Sequence, residues 1–155
     1  MLLQFANGDS FAIGAAPFAY RSVANDPASL RIALTVSIGD FEMTAILDTG
    51  GVYLLCAPEV AEHLHLDPQN GIRANPLRWR GERLEGTLYV VPLTLQAAEG
   101  ESLQLEVTAF IPQPELAQWS QDFQCVLGMY GCLEKMRFAV DPNDDTFYFG
   151  ALGQT

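Results

Sequence analysis

Residues 45–51 place one acidic side chain, that of Asp48, between an apolar segment and two glycines. The apolar segment, residues 43–47, is typical of a buried strand, and Gly50 and Gly51 require the chain to turn sharply where it ends. A carboxylate in this position is costly to bury unless other groups hold its charge. It suits either acid–base catalysis or capping of the turn's N–H groups. Because Asp-Thr-Gly often occurs by chance, the tripeptide alone favours capping.

Acid–base hydrolysis of a peptide bond without a metal or a nucleophilic side chain needs two carboxylates close together. Two carboxylates at short range cannot both ionise, so they share one proton. The ionised one takes a proton from water, and the protonated one gives its proton to the carbonyl oxygen. The chain contains one Asp-Thr-Gly and no second Asp-Thr-Gly or Asp-Ser-Gly. Asp141, Asp144 and Asp145 lie in a proline-led turn and are expected to be solvated. A catalytic pair would therefore require Asp48 of a second copy, which makes a homodimer a condition of this chemistry.

The composition indicates one folded domain with a sizeable core. The chain has 155 residues, of which 49% are hydrophobic and 17% charged. Eight basic and nineteen acidic residues give a formal net charge of −11. A chain this acidic lacks the basic surface that phosphates require, so we expect neither nucleic acid nor a membrane as a partner. The charge permits a neutral or basic peptide substrate.

The sequence also predicts a cytoplasmic location. Residues 1–7 lack the basic start and long apolar core of a signal peptide, and no stretch approaches the roughly 18 apolar residues that span a membrane. The cysteines are odd in number and form no Cys-x-x-Cys pair; they are Cys56, Cys125 and Cys132. His63 and His65 are two residues apart with no cysteine at ligand spacing, so we expect no metal or cofactor and favour structural or surface roles for them. A Cys-His nucleophilic pair is an alternative without a local signature.

The elements that must position Asp48 are mainly short strands. Hairpins are predicted at residues 2–14 around Asn7-Gly8, at 30–47 ending in Asp48, at 73–91 with a polar tip at 80–86, at 93–110, and at 137–149. Further predictions are a connector at 15–29, helices at 58–64 and 129–136, one helical turn at 115–119, and an apolar strand at 126–128. The sum is a mainly β fold with a few short helices.

Three features in this order resemble the retropepsin-like aspartic proteases, which are the retroviral proteases and their single-domain relatives. The first is the hairpin that ends in Asp48-Thr49-Gly50, with Gly51 next. The second is the glycine-bearing hairpin at 73–91, in the position of the family's flap. The third is the strand and following segment at 126–134, ahead of a C-terminal strand pair. The resemblance implies a closed β-barrel of the acid-protease fold, active as a two-fold dimer.

The similar region runs from about residue 30 to residue 149. The resemblance therefore implies two parts, an N-terminal hairpin and connector extension at 1–29 and a retropepsin-like protease domain at 30–155. The hairpin at 2–14 lies outside the family core. It could cover a sheet edge, extend the dimer interface or restrict the cleft.

The resemblance also implies an aspartic endopeptidase acting on a peptide or protein, with Asp48 as base in one subunit and acid in the other. Thr49 would hydrogen-bond to the partner's loop, and Gly50 would let the backbone approach the carboxylate and the substrate. A flap would cover the substrate; it would contain Trp79, Arg80 and the hinge glycines Gly81 and Gly86. Leu127 and Gly128 would pack beneath the active-site loop and support it. Trp79 is equally well explained as a sheet-packing residue.

Two departures from the family pattern bear on the dimer and the loop. Gly51 replaces the usual alanine or serine, and Met129-Tyr130 stand where retroviral members carry an arginine that takes part in dimer contacts.

Two other functions remain as alternatives to the enzyme. One is a catalytically silent module of the same fold that binds an extended peptide in the cleft by strand addition. The other is a monomeric β-barrel in which Asp48 caps its loop.

Overall fold

The computed structural model describes residues 2–23, 27–113 and 123–153. One α-helix lies in these ranges, α1 at Glu59–His63, with 3-10 turns at Pro27–Ser29, Pro68–Asn70 and Leu133–Lys135. The strands are β1 Gly14–Pro17, β2 Ala19–Ser22, β3 Leu30–Ile38, β4 Phe41–Leu47, β5 Leu54–Cys56, β6 Ile72–Arg73, β7 Leu77–Trp79, β8 Glu82–Leu84, β9 Gly86–Leu95, β10 Glu99–Gly100, β11 Leu103–Pro112, β12 Cys125–Leu127, β13 Met136–Asp141 and β14 Thr146–Ala151. The mainly β prediction is confirmed.

Six strands close into a barrel in the order β3-β4-β12-β5-β11-β9. The ring closes where β9 returns to β3, through the pairs Val36↔Leu95 and Ser37↔Thr94. Each of these six strands therefore pairs with a neighbour on both sides. The closed barrel predicted from the family resemblance is confirmed.

The barrel interior is filled by the inward-facing side chains of these strands. Leu34, Val36 and Ile38 of β3 alternate into the main core, where they join Leu93 and Leu95 of β9. A second cluster lies under the β7–β8 hairpin; its buried members are Ile46, Leu55, Leu84, Phe110, Phe123 and Val126. This second cluster fixes the hairpin over the end of β4.

The connector predicted at residues 15–29 is wrong, because the chain forms β1 and β2 there. β1 lies between β10 and β14 in a second sheet of order β10-β1-β14-β13, and β2 pairs with β3 of the barrel. Gly14 sits so close to Glu101 and Phe149 that a β-carbon would clash with both. Small residues make this close contact possible, but they do not form the alternating hydrophobic pattern by which a strand is recognised in the sequence.

The hairpin predicted at residues 2–14 is reduced to one bridge, Gln4↔Ser10, around a turn in which Gly8 has φ +91°. The N-terminal segment instead contributes β1, which covers the edge of β14. The role of the segment at residues 2–13 stays a prediction. Both β1 and β2 pair with strands that begin at or after residue 30, namely β10, β14 and β3. The division of the chain at 1–29 and 30–155 stays a prediction.

The other elements follow the sequence with two corrections. The hairpins at 30–47, 93–110 and 137–149 and the helix at 58–64 are confirmed as β3–β4, β9–β11, β13–β14 and α1. The helix predicted at 129–136 is wrong beyond the turn Leu133–Lys135, since Gly131 has φ +82°, which an α-helix excludes. The second arm of the 73–91 hairpin is β8 and not residues 87–91, which belong to β9. The turn predicted at 115–119 lies outside the described residues.

His63 has a structural role in the described chain. His63 stacks on Phe41 with ring centroids 4.3 Å apart, which is a structural role. In the described ranges no group of three His, Cys, Asp or Glu side chains is placed to hold a metal ion. Among the same residues, no helix has the length and apolar character needed to cross a membrane.

Candidate active site

Asp48 follows β4, which is held on one side by β3 and on the other by β12. The parallel pairing of β4 with β12 ends at Leu47↔Leu127. The next hydrogen bond continues that ladder, since the N–H of Asp48 donates to the carbonyl of Leu127 at 3.0 Å. The backbone of Asp48 is therefore fixed by the barrel while its side chain stays partly exposed.

The Asp48 carboxylate also organises the loop that follows it. Oδ1 accepts a hydrogen bond from the N–H of Gly50 at 3.0 Å, and the Asp48 carbonyl accepts one from Gly51 at 3.1 Å. One carboxylate oxygen thus performs the capping role that the tripeptide alone favoured. Thr49 and Gly50 are exposed, so the loop presents its tip to solvent or to another chain.

Gly128 lies directly beneath this loop. The Gly128 N–H donates to the Tyr53 carbonyl at 2.8 Å, and the Met129 N–H donates to the Gly51 carbonyl at 2.8 Å. A β-carbon on Gly128 would lie 2.6 Å from both the Tyr53 oxygen and the Val52 carbonyl carbon. Glycine is therefore required at this position.

The β7–β8 hairpin stands opposite the Asp48 loop. Its tip is the two-residue turn Arg80-Gly81, with φ of +51° and +81°, the geometry of a tight primed turn. A cleft of about 250 Å³ separates the tip from the loop. Its described lining is Val23, Arg31, Ile46, Asp48, Gly50, Gly51, Arg78, Trp79 and Arg80.

The structure thus brings most of the predicted site residues together. Asp48, Gly50 and Gly51 face Trp79 and Arg80 across one cleft, with Gly81 in the same turn as Arg80. Trp79 lines the cleft and also packs on the cluster beneath the hairpin.

Two groups of residues depart from the prediction. Gly86 is not a hinge: it is buried in β9, where a β-carbon would clash with the backbone of Ile111. Val23, Arg31 and Arg78 also line the cleft, and no local sequence pattern predicts this position for them. Arg31 occupies an exposed position of β3, and only the tertiary fold shows that this position opens toward Asp48.

A larger cavity of about 600 Å³ lies elsewhere, with Tyr53, Ile72, Val90 and Tyr130 among its lining residues. Its one described carboxylate is Glu134, which accepts a hydrogen bond from the Gly131 N–H at 2.9 Å. Asp48 is not among the described lining residues of this cavity and lines the smaller cleft instead.

One chain supplies one carboxylate to the cleft. Asp48 is the single acidic residue in its described lining. Asp141 accepts a hydrogen bond from the Asn143 N–H at 2.9 Å in the turn between β13 and β14, as expected for a turn residue. The described part of one chain therefore places a single carboxylate in the cleft.

The cysteines offer no competing nucleophile. Cys56, Cys125 and Cys132 are free thiols with 0% exposure. Burial raises the pKa of all three, to about 12 for Cys132. A thiol held neutral and away from solvent does not act as a nucleophile, so the structure argues against the Cys-His alternative.

No family model and no curated protein matches this chain. Solved structures do match it, among them the crystal structure of a retropepsin-like aspartic protease from Rickettsia conorii. The two chains share 17% sequence identity with a TM-score of 0.52, and the match covers 89% of this chain and 96% of that chain. The fold is therefore retropepsin-like, as the order of the three sequence features predicted.

Proposed function

We propose that this chain is an aspartic endopeptidase in which Asp48 and Asp48 of a second copy activate a water molecule to hydrolyse a peptide bond. The observation that carries the proposal is the position of Asp48. Its backbone is fixed to Leu127 at the end of β4, and its carboxylate lines a cleft beneath the Arg80-Gly81 turn. The retropepsin-like fold supports the proposal, because the Rickettsia protein that shares it is an aspartic protease.

The chemistry requires one ionised and one protonated carboxylate. The ionised Asp48 takes a proton from the water as it attacks the peptide carbonyl, and the protonated Asp48 of the other copy gives its proton to the carbonyl oxygen. The Asp48 that took the proton from water then gives it to the amine nitrogen as the C–N bond of the tetrahedral intermediate breaks. The other Asp48 takes a proton from a hydroxyl of the intermediate as the new carboxyl group forms, which restores one ionised and one protonated acid. Two-fold symmetry makes the two acids interchangeable, and the scheme uses no metal or cofactor.

The surface around the loop is suited to a second copy. Thr49 and Gly50 are exposed, and Thr49 is free to hydrogen-bond across a two-fold axis to the partner's loop. Val52 and Tyr130, joined by a parallel bridge beside the loop, are 38% and 61% exposed. Exposed apolar side chains at this point are the kind of surface that a homodimer interface buries.

The β7–β8 hairpin would act as the flap. Its tip lies across the cleft from Asp48, and closing it over a bound peptide would exclude bulk water during the reaction. A cytoplasmic location forms part of the proposal, since free cysteines suit a reducing compartment.

The test is the substitution Asp48→Asn, assayed on a peptide library at mildly acidic pH. Asparagine keeps the size of the side chain and can still accept from the Gly50 N–H, but it cannot exchange a proton. We expect activity to fall by at least about 10²-fold, and wild-type cleavage to be blocked by statine-type transition-state mimics. The matched control is Asp144→Asn, in the remote β13–β14 turn. Full activity of the Asp48→Asn protein would contradict the proposal.

A second candidate is a catalytically silent module that binds an extended peptide in the same cleft. The hydrogen bond from the Gly50 N–H to Asp48 Oδ1 favours it, because this bond gives the carboxylate a structural role without catalysis. Wild-type protein that binds peptides but never cleaves them would establish this function in place of the first.

A further inference from the structure

The cleft around Asp48 is basic although the protein is acidic. The whole chain has eight basic and nineteen acidic residues. Three of the described lining residues are arginines, Arg31, Arg78 and Arg80, while Asp48 is the one acid among them. The local charge is therefore opposite in sign to the charge of the protein.

Two further arginines lie beside the cleft. Arg21 is directly opposite Arg31 in the β2–β3 ladder, and Arg83 is directly opposite Arg78 in the β7–β8 ladder. Residues directly opposite on antiparallel strands project from the same face, and like charges in such pairs are unfavourable for folding. Two such pairs flanking one cleft are not explained by the stability of the fold.

The cleft arginines are not neutralised by carboxylates of the described residues. The one ion pair among these residues joins Arg83 to Glu85 at 3.8 Å, and both side chains are exposed. The Arg31 guanidinium donates to the Leu30 carbonyl, which leaves its charge unpaired within the described chain. Their charge is therefore available to a ligand.

We propose that Arg31, Arg78 and Arg80 select peptides that carry aspartate or glutamate at the second and third positions from the scissile bond. This inference rests on the proposed function and names its substrate class. A guanidinium group binds a carboxylate through two parallel hydrogen bonds, which gives direction as well as charge. Val23, Ile46 and Trp79 line the same cleft and would accept the apolar residues between the acidic positions. A two-fold partner would present the same arginines on the other side of the bond.

The net charge of −11 does not oppose this selection at contact distance. It would slow the approach of an acidic peptide from afar, and by itself it would favour a basic one. At physiological ionic strength, however, charges are screened beyond about 8 Å. Within the cleft, the nearby arginines therefore outweigh the distant carboxylates.

The test compares octapeptides with an apolar central pair that differ only in Glu or Gln at the second and third positions from the bond. Both peptides compete in one reaction, and mass spectrometry gives the ratio of their kcat/KM values. We expect wild type to prefer the Glu peptide about tenfold at low salt, and less as salt is added. Arg31→Gln and Arg78→Gln should bring the ratio toward one. Lys135→Gln, which removes one charge outside the cleft, should leave it unchanged, and Arg78→Glu should shift the preference toward a Lys peptide.

A second arm separates this inference from the proposed function. Fluorescence anisotropy measures binding of the same labelled peptides to the Asp48→Asn protein. Cleavage by wild type without a Glu preference would overturn the inference and leave the endopeptidase intact. Tighter binding of the Glu peptide with no cleavage by wild type would overturn the endopeptidase and leave the inference intact. Binding of neither peptide, with no cleavage, would overturn both.

Discussion

The backbone of Gly128 lies directly against that of Tyr53. The Gly128 N–H donates to the Tyr53 carbonyl at 2.8 Å, and a β-carbon on Gly128 would lie 2.6 Å from the same oxygen. This contact fastens the segment after β12 to the chain that leaves the Asp48 loop. The barrel wall therefore helps to position the loop, together with the hydrogen bonds that Asp48 accepts from Gly50 and Gly51.

The first prediction concerns Gly128→Ala. The added methyl group has no room against the Tyr53 and Val52 backbone, so the loop or β12 must shift. We expect the free energy of unfolding to fall by about 2–4 kcal/mol and peptidase activity to be lost. Urea unfolding and a peptide-cleavage assay measure the two effects.

Gly51→Ala is the matched control for that substitution. A β-carbon on Gly51 would lie 3.4 Å from the Asp48 carbonyl oxygen and 3.6 Å from Oδ2, which are ordinary contacts. Stability should change by less than about 1 kcal/mol, and activity should remain. Equal effects of the two substitutions would show that position 128 has room for a β-carbon.

The second prediction concerns the tip of the flap-like hairpin. Gly81 has φ +81° and no atom within 4 Å of an added β-carbon, so Gly81→Ala introduces backbone strain alone, of about 1 kcal/mol. Gly39, at the β3–β4 turn, also has a positive φ, +60°, and equally open surroundings. Gly81→Ala should lower kcat/KM several-fold, whereas Gly39→Ala should cost similar stability without this loss. Identical kcat/KM values for both would argue against a role for the hairpin in catalysis.

The sequence predicted the elements whose signal is local. The alternating strands around Gly39-Asp40 and the acid at the end of β4 were identified from pattern alone, and the order of the features indicated the fold. β1 was missed because Gly14 and its small neighbours form a strand through close backbone approach, which leaves no hydrophobic pattern. Arg31 was missed because its place in the cleft depends on how β3 lies in the barrel. Pairings between strands that are far apart in the sequence depend on the tertiary fold, so a short stretch of sequence does not predict them.

The third prediction concerns pH. Burial raises the pKa of all three cysteine thiols, to about 12 for Cys132, whereas in the unfolded chain the thiol pKa is about 8.5. The stabilisation is complete below pH 8.5 and is lost as pH rises, because the unfolded chain then releases protons that the folded chain keeps. We expect the free energy of unfolding to fall between pH 8.5 and 10 by up to about 1.4 kcal/mol per pH unit for each cysteine.

Urea unfolding across that pH range tests this, together with a thiol-reactive dye that should label the native protein slowly. Cys132→Ala removes one titrating group and should reduce the slope by about one third. A slope that is the same in the variant would show that Cys132 is not buried as a neutral thiol. Fast labelling of the native protein would show that at least one of the three thiols is accessible to solvent.

The fourth prediction tests whether two copies of Asp48 form one site. If each active dimer needs both carboxylates, added Asp48→Asn protein captures wild-type chains in inactive mixed dimers. With random exchange of subunits, wild-type activity falls to about one half in an equal mixture and to about one quarter at threefold excess of the variant. Asp144→Asn, added in the same amounts, should cause no such loss, because mixed dimers would keep both acids. Activity that is unchanged by Asp48→Asn after full subunit exchange would mean that one Asp48 is sufficient, and the shared site would have to be abandoned.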